Sequence, residues 1–154
     1  MSRQSLNHYY NQLGETIRYG GSRNEGSVSI PFFNLVNAYA EKRNLRLVHQ
    51  RDINGLHGKK VRPDGVLTNA MNLEFGIWES KDEKDDIAKE IRAKIAKGYP
   101  LTNTLFEDTN TAILFQAGSQ AARADMKDAE ELDRILNAFI SFEPPQVREF
   151  NHCG

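Results

Sequence analysis

Several features that would assign a function at once are absent from this 154-residue sequence. A single cysteine, Cys153, excludes an internal disulfide and fits a reducing compartment. No apolar run approaches the length of a membrane span, and the first residues lack the apolar stretch of a secretory signal, so we expect no membrane association and a cytoplasmic location. No His/Cys spacing indicates a zinc site, and neither a Walker-type loop nor a Gly-x-Gly-x-x-Gly motif is present.

An excess of charge of one sign is also lacking. The net charge of −1 argues against a free-standing nucleic-acid binder, which usually carries a basic excess. With 39% hydrophobic and 27% charged residues, the composition is typical of a globular domain and not of a disordered chain. We expect one domain over residues 1–145, followed by a truncated linker over residues 146–154, which has little apolar content to bury.

The spacing of apolar residues predicts the order helix, helix, three strands, helix, strand, helix. An antiparallel meander followed by a helical crossover predicts an α/β fold, with a mixed sheet of four to five strands flanked by helices on both faces. Pro31 is expected in the first turn of the second helix, and Asp85 or Asp86 at the N-cap of the third. The predicted helices cover 3–19, 29–43, 85–97 and 129–140, and the strands 45–53, 63–68, 73–81 and 111–115. These elements divide the domain into an N-terminal helix (1–20), a catalytic core (21–120) and a C-terminal helix (125–141).

Two carboxylates and a lysine carry the strongest indication of chemistry. Asp64 opens one predicted strand, while Glu79 and Lys81 lie two residues apart in the next, so both of these side chains leave the same face. If the two strands form a hairpin that turns near residues 69–72, Asp64 lies opposite Glu79, with Cβ atoms about 5 Å apart. Two carboxylates at that distance repel unless a divalent cation lies between them. With an ammonium on the same face, the three side chains predict a site for metal-assisted cleavage of a phosphodiester.

The pattern acid, any residue, lysine is not specific by itself, because the sequence contains it at Glu79–Lys81, Asp82–Lys84 and Asp125–Lys127. The first occurrence is favoured since it ends an apolar strand, follows Asp64 at hairpin distance and precedes an amphipathic helix. The alternative interpretation of that occurrence is a surface ion pair at a strand end.

Other side chains near this motif have two interpretations each. Trp78 is predicted to pack under a helix, with stacking on a base as the alternative. A group of basic residues on the third helix either follows a DNA backbone or forms an ordinary solvated face. These residues are Lys89, Arg92, Lys94 and Lys97.

The motifs resemble those of the PD-(D/E)XK nuclease superfamily, with Pro63-Asp64 as the first half and Glu79-Ser80-Lys81 as the second. More narrowly, residues 20–120 resemble the N-terminal endonuclease domain of fused restriction–modification enzymes of the type IIG and type ISP kind, in which an adenine-specific DNA methyltransferase follows. Members of that family often carry a glutamine before the tyrosine of the next helix, whereas this chain has only Lys94 and Lys97 ahead of Tyr99. The matching stretches are Asn24-Glu25, Arg62-Pro63-Asp64-Gly65, Gly76-Ile77-Trp78-Glu79-Ser80-Lys81, Gly98-Tyr99-Pro100-Leu101 and Leu105-Phe106-Glu107-Asp108-Thr109.

The resemblance implies a restriction-endonuclease-like core and an endonuclease that uses Mg²⁺, with Mn²⁺ as a second candidate. It implies that Asp64 and Glu79 ligate the metal, together with the backbone carbonyl of Ser80, and that Lys81 stabilises the transition state. A further acid near the first core helix is implied, and Glu25 fits by position, although an ordinary helix-start acid is an equally good interpretation.

The partners implied by the resemblance are double-stranded DNA and the methyltransferase and target-recognition domains of a longer protein, while a dimer during cleavage is left open. Two other functions also remain open. One is a stand-alone repair or junction-cleaving nuclease of the same fold, and the other is a catalytically silent, nuclease-like interaction domain.

Overall fold

The fold is built around a six-stranded sheet. The computed structural model describes residues 3–20, 25–82 and 86–144, without the side chains of 19–20 and 25–28. The described helices are α1 (Arg3–Gly20), α2 (Glu25–Glu41), α3 (Ile87–Ala96) and α4 (Ala129–Ser141). The described strands are β1 (Arg46–His49), β2 (Ile53–Asn54), β3 (Lys60–Val61), β4 (Gly65–Thr68), β5 (Glu74–Ser80), β6 (Asn103–Glu107), β7 (Thr111–Gln116) and β8 (Ser119–Asp125).

The strand order in the sheet is β1-β4-β5-β6-β7-β8, and β2 and β3 form a separate two-stranded ribbon. Strands β5 and β6 run parallel, because α3 crosses over between them, and the other neighbours are antiparallel. The predicted mixed sheet with a helical crossover is therefore confirmed. The predicted number of strands was too low, because β6 and β8 lie outside every predicted strand, and the crossover leads to β6 and not to residues 111–115.

Helices cover both faces of the sheet, as predicted. Helices α1, α2 and α4 pack on one face, where the largest apolar cluster includes the fully buried Trp78 and Leu105. On the other face α3 packs through Ile87 and Ile91 against Phe106. A third cluster beside it joins β2 and β3 to the sheet; its members are Ile53, Val61, Val66, Ile77 and Tyr99. Among the described residues, no helix combines the length and the apolar content that crossing a bilayer requires.

The start of α2 was predicted too late. The helix begins at Glu25, so Pro31 lies inside it and not in its first turn. Pro31 disfavours a helix interior and suits a first turn, and this preference placed the predicted start near residue 29. Tertiary packing outweighs that preference, because the following turns bury Phe32 in the main core. The predicted N-cap of α3 is confirmed at Asp86, whose Oδ1 accepts a hydrogen bond of 3.0 Å from the backbone N of Ala88.

Candidate active site

The hairpin of β4 and β5 brings Asp64 to Glu79. Gly65 pairs with Trp78 and Val66 with Ile77, and one further step along the same register sets Asp64 opposite Glu79, as predicted. Asp64 precedes β4, and its Oδ2 accepts a hydrogen bond of 2.8 Å from the backbone N of Ser80. That bond ties the carboxylate of Asp64 to the end of β5. Gly65 makes room for the indole of Trp78 on the neighbouring strand, because a Cβ atom at residue 65 would lie only 2.8 Å from Cε3 of Trp78.

Glu79 is a buried acid whose carboxylate has lost most of its contact with water. Its side chain is 4% exposed, and its Oε2 has no hydrogen-bond partner among the described residues. Burial and, after it, the negative charge of Asp64 raise the pKa of Glu79 from its usual 4.5 to about 7, against the opposing charges of Lys94 and Lys81. A carboxylate held this way gains strongly from a cation placed beside it.

Lys81 follows Glu79 by two residues and leaves the same face of the chain. Its Nζ lies 3.7 Å from Oε2 of Glu90 on α3, and its side chain is 12% exposed. The charge of Lys81 lowers the pKa of Glu79, so the two side chains are close enough to interact. The structure thus brings together Asp64, Glu79 and Lys81, while their catalytic roles remain predictions.

Two other predicted site residues are placed less completely. Ser80 points to the opposite face of β5, where its Oγ is buried without a hydrogen-bond partner among the described residues, so any metal contact would have to come from its backbone. Glu25 is the first residue of α2, and its side chain lies outside the described part of the structure. Within the described ranges, no third His, Cys, Asp or Glu joins Asp64 and Glu79 in a metal-binding group.

The donor set fits a hard divalent cation. Asp64 and Glu79 offer carboxylate oxygens, which Mg²⁺ and Mn²⁺ prefer, and Mg²⁺ commonly takes one or two carboxylates and keeps water in its other positions. Oε2 of Glu79 is buried, has no hydrogen bond from any described residue and has the ammonium of Lys94 3.5 Å away, so its lone pairs can serve as ligands for a cation. These two residues would hold the ion.

Lys94 and Tyr99 also belong to this site, although neither is among its predicted residues. Nζ of Lys94 lies 3.5 Å from Oε2 of Glu79 and 4.9 Å from the ring centroid of Tyr99. The Tyr99 hydroxyl donates a hydrogen bond of 3.4 Å to the backbone O of Arg62. Burial, followed by the negative charge of Glu79, raises the pKa of Tyr99 to about 12, so the phenol stays protonated. The available signal was the spacing of Glu90 and Lys94, which stand one helical turn apart beside the apolar stripe of α3.

An open cleft of about 570 Å³ adjoins the site, and we call it the basic cleft. Gly98 ends α3 with φ +95°, and its backbone O accepts a hydrogen bond of 2.7 Å from the N of Leu56, which fixes the loop before β3 against the helix end. Lys94 and Tyr99 lie on the side that faces Glu79. The full lining is Lys59, Lys60, Val61, Arg62, Lys94, Lys97 and Tyr99.

Most of the cations of the basic cleft are available for a ligand. Lys59, Lys60 and Lys97 form no ion pair with any residue that the structure describes. Arg62 pairs with Asp52 at 3.3 Å, but both side chains are about 60% exposed, and such a surface pair contributes little. A cleft with this charge is suited to a polyanion.

A second buried acid lies on the opposite face of the sheet. Glu107 ends β6, is fully buried, and accepts hydrogen bonds from Nε1 of Trp78 at 3.1 Å and from the backbone N of Thr109 at 2.8 Å. Burial raises the pKa of Glu107 to about 7, although these donors oppose the shift. The prediction that Trp78 packs under a helix is confirmed, because its ring lies 5.8 Å from that of Phe32 on α2.

The stability of the metal-free protein is expected to fall as the pH rises. Glu79 and Glu107 have a usual pKa of 4.5 and a folded-state pKa of about 7, so the folded chain binds more protons than the unfolded chain between these values. The stabilisation is complete below about pH 4.5 and is lost as the pH passes about 7. Thermal melting in EDTA between about pH 5 and 8 measures it, and Glu107→Gln should reduce the slope. A slope that the substitution leaves unchanged would contradict the role of Glu107.

Comparison with known proteins finds matches among solved structures. A cryo-EM structure of a DrdV–DNA complex matches 98% of this chain at 43% identity with a TM-score of 0.93, and the chain spans 15% of the DrdV chain. A crystal structure of the type IIG restriction endonuclease BpuSI matches 76% of this chain and 16% of that chain, at 15% identity and a TM-score of 0.47. No protein-family model and no curated protein matches the sequence.

Proposed function

We propose that this chain, a restriction-endonuclease-like domain, hydrolyses phosphodiester bonds of double-stranded DNA with Mg²⁺ as its cofactor, and that Mn²⁺ can replace Mg²⁺. The observation that carries the proposal is the convergence of Asp64 and Glu79 at the end of β5, with Lys81 on the same face of the chain. The likeness to a segment of DrdV, which was solved in complex with DNA, supports DNA as the substrate.

Each side chain has a distinct role in this proposal. Asp64 and Glu79 hold the ion, and Asp64 is kept in place by its hydrogen bond from Ser80 N. When bound, Mg²⁺ supplies Lewis-acid activation of the attacking water and neutralises charge on the scissile phosphate. Lys81 supplies a positive charge that orients the water and stabilises the extra negative charge of the transition state. Glu90, at 3.7 Å, holds the ammonium of Lys81 near this position.

The basic cleft supports the DNA-binding part of the proposal. It brings together cations from two segments, the stretch 59–62 and the last turns of α3, and it reaches Glu79 through Lys94. Phosphate groups bind lysine and arginine mainly through charge, and each neutralised phosphate releases counterions. A DNA strand that follows the basic cleft would therefore present a phosphate close to Asp64 and Glu79.

Reversing three charges of the basic cleft is expected to weaken DNA binding strongly. Lys59→Glu, Lys60→Glu and Lys97→Glu together should lower affinity by at least about 10-fold and reduce the salt dependence of binding. Fluorescence anisotropy with a labelled duplex and Ca²⁺ in place of Mg²⁺, at two salt concentrations, measures both quantities. The control reverses three exposed charges elsewhere, Arg123, Lys127 and Arg134. Equal losses in the two variants would exclude the basic cleft as the DNA surface.

The fused context is a further part of the proposal. We take this domain to be the cleavage module of a larger restriction–modification enzyme that carries methyltransferase and target-recognition domains, that works in the cytoplasm and that can pair with a second copy during cleavage. The 43% identity with 15% of the DrdV chain supports a place within a longer protein.

Cleavage of supercoiled plasmid tests the proposed activity directly. We expect nicked or linear products with Mg²⁺ or Mn²⁺ and none in EDTA, because Asp64 and Glu79 alone cannot activate water against a phosphodiester. Intact plasmid under all metal conditions, from a chain shown to bind both metal and DNA, would favour a catalytically silent domain.

A further inference from the structure

Lys94 lies unusually deep for an ammonium on a helix. Its side chain is 16% exposed, and it projects from α3 over the ring of Tyr99 and towards Glu79. A buried ammonium is costly unless an opposite charge and further partners compensate its lost hydration. Here the compensation comes from Oε2 of Glu79 at 3.5 Å, from the hydroxyl of Tyr99 at 3.5 Å and from the Tyr99 ring.

Glu79 forms its ion pair with Lys94 and not with Lys81. Of the two described lysines near Glu79, Lys81 forms an ion pair with Glu90, and Lys94 forms the ion pair with Glu79. Yet Oε2 of Glu79 has no hydrogen-bond partner among the described residues, so its contact with Lys94 is an attraction between charges without hydrogen-bond geometry. A partner held by charge alone is more easily displaced than one that is also hydrogen-bonded.

A metal ion and this ammonium cannot both occupy the same side of Glu79 without strong repulsion, since the low dielectric of a largely buried site strengthens the repulsion between two cations a few ångströms apart. The side chain of Lys94 also lines the basic cleft, and four rotatable bonds allow its Nζ to move there. Repulsion by a bound metal ion would therefore drive the ammonium of Lys94 away from Glu79, and the basic cleft offers space for it.

We propose that Lys94 is an internal counter-ion, which neutralises the ionised carboxylate of Glu79 in the metal-free protein and is displaced into the basic cleft when a divalent ion binds between Asp64 and Glu79. This inference rests on the proposed function, because it presumes the metal site. It makes Lys94 a positioning residue that keeps two neighbouring acids compatible with folding and that delays metal binding until the ion competes successfully.

Calorimetric titration with Mn²⁺ tests the competition, using the wild-type chain, Lys94→Met and the control Lys89→Met on the exposed side of α3. Lys94→Met is expected to bind Mn²⁺ at least about 10-fold more tightly, since the ion no longer has to displace an ammonium. Its melting temperature in EDTA should be lower than that of the wild type, and the rise on adding Mn²⁺ should be larger. Lys89→Met should match the wild type, and Lys94→Arg should restore the weaker affinity.

The outcomes separate this inference from the proposed function. If Glu79→Gln removes Mn²⁺ binding while Lys94→Met leaves the affinity equal to wild type or weaker, the counter-ion role is overturned and the metal site stands. If neither the wild type nor Lys94→Met binds Mn²⁺, both the counter-ion role and the metal site are overturned. A merely structural role for Lys94 would lower the melting temperature without tightening the metal affinity.

Discussion

Exchanging Lys81 for methionine is expected to lower the rate of plasmid cleavage by on the order of 10²- to 10³-fold, the usual cost of losing one preorganised electrostatic partner of a transition state. The reason is geometric: Lys81 leaves the same face of the chain as Glu79, and Glu90 fixes its ammonium there. Methionine keeps most of the length and packing and removes only the charge. The measurement is the initial rate of nicking in excess Mg²⁺, with the fold checked by thermal melting.

Neutralising either acid should have a similar or larger effect. Asp64→Asn retains an oxygen that can accept the hydrogen bond from Ser80 N, and Glu79→Gln retains the shape of the side chain, so neither change should unfold the domain. Both remove a negative charge that the metal requires. The matched control is Lys127→Met, in the exposed pattern Asp125–Lys127, which should cleave at the wild-type rate. Wild-type cleavage by all three site variants would refute the assignment of this site.

Replacing Trp78 by alanine is expected to destabilise the domain by about 3–5 kcal/mol. The indole is fully buried between β5 and α2, next to Phe32 and Phe33, and its Nε1 donates to the buried carboxyl of Glu107. The change thus leaves a cavity and also removes a donor from Glu107. Urea unfolding followed by circular dichroism measures the loss.

A second substitution at Trp78 separates the loss of the hydrogen bond from the loss of apolar volume. Trp78→Phe keeps most of the apolar volume and removes the hydrogen bond to Glu107, so it should cost about 1–3 kcal/mol. Met71→Ala, at an exposed position in the β4–β5 turn, serves as the control and should change stability by less than about 0.5 kcal/mol. A loss below about 1 kcal/mol for Trp78→Ala would contradict the buried position of the indole.

The sequence predicted those parts of the fold in which local pattern and tertiary structure agree. The apolar stripe of α3, its Asp86 cap and the pairing of β4 with β5 all follow from spacing and turn position, and the structure has each of them. The restriction-endonuclease-like fold implied by the motifs is likewise confirmed.

Strands β6 and β8 were not predicted, and the reasons for the two strands are opposite. Strand β6 is buried along its whole length but carries polar residues, because their partners come from distant elements: Nδ2 of Asn103 donates to the backbone O of Phe75 and of Phe139. Strand β8 is a mostly exposed edge of small and polar residues, with only Ala124 buried. Neither gives an alternating pattern, so single-sequence reasoning had no signal for them.

The candidate site also contains contacts that the sequence could predict and contacts that it could not. Asp64, Glu79 and Lys81 lie within one hairpin and its continuation, so their meeting could be inferred from register. The approach of Lys94 to Glu79 depends on how α3 crosses the sheet, and the basic cleft depends on the contact of Leu56 with Gly98, which lie far apart in sequence. Such contacts are set by the packing angle of a helix, which residue spacing does not specify.

The position of β5 inside the sheet links function to the lifetime of the folded state. The strand has β4 on one side and β6 on the other, and apolar clusters cover it from above and below. We expect its amide protons to exchange with solvent when these neighbours separate, through an opening close to global unfolding. Thermal inactivation should therefore follow the rate of global unfolding, with no earlier phase in which the acids are lost while the remaining fold persists.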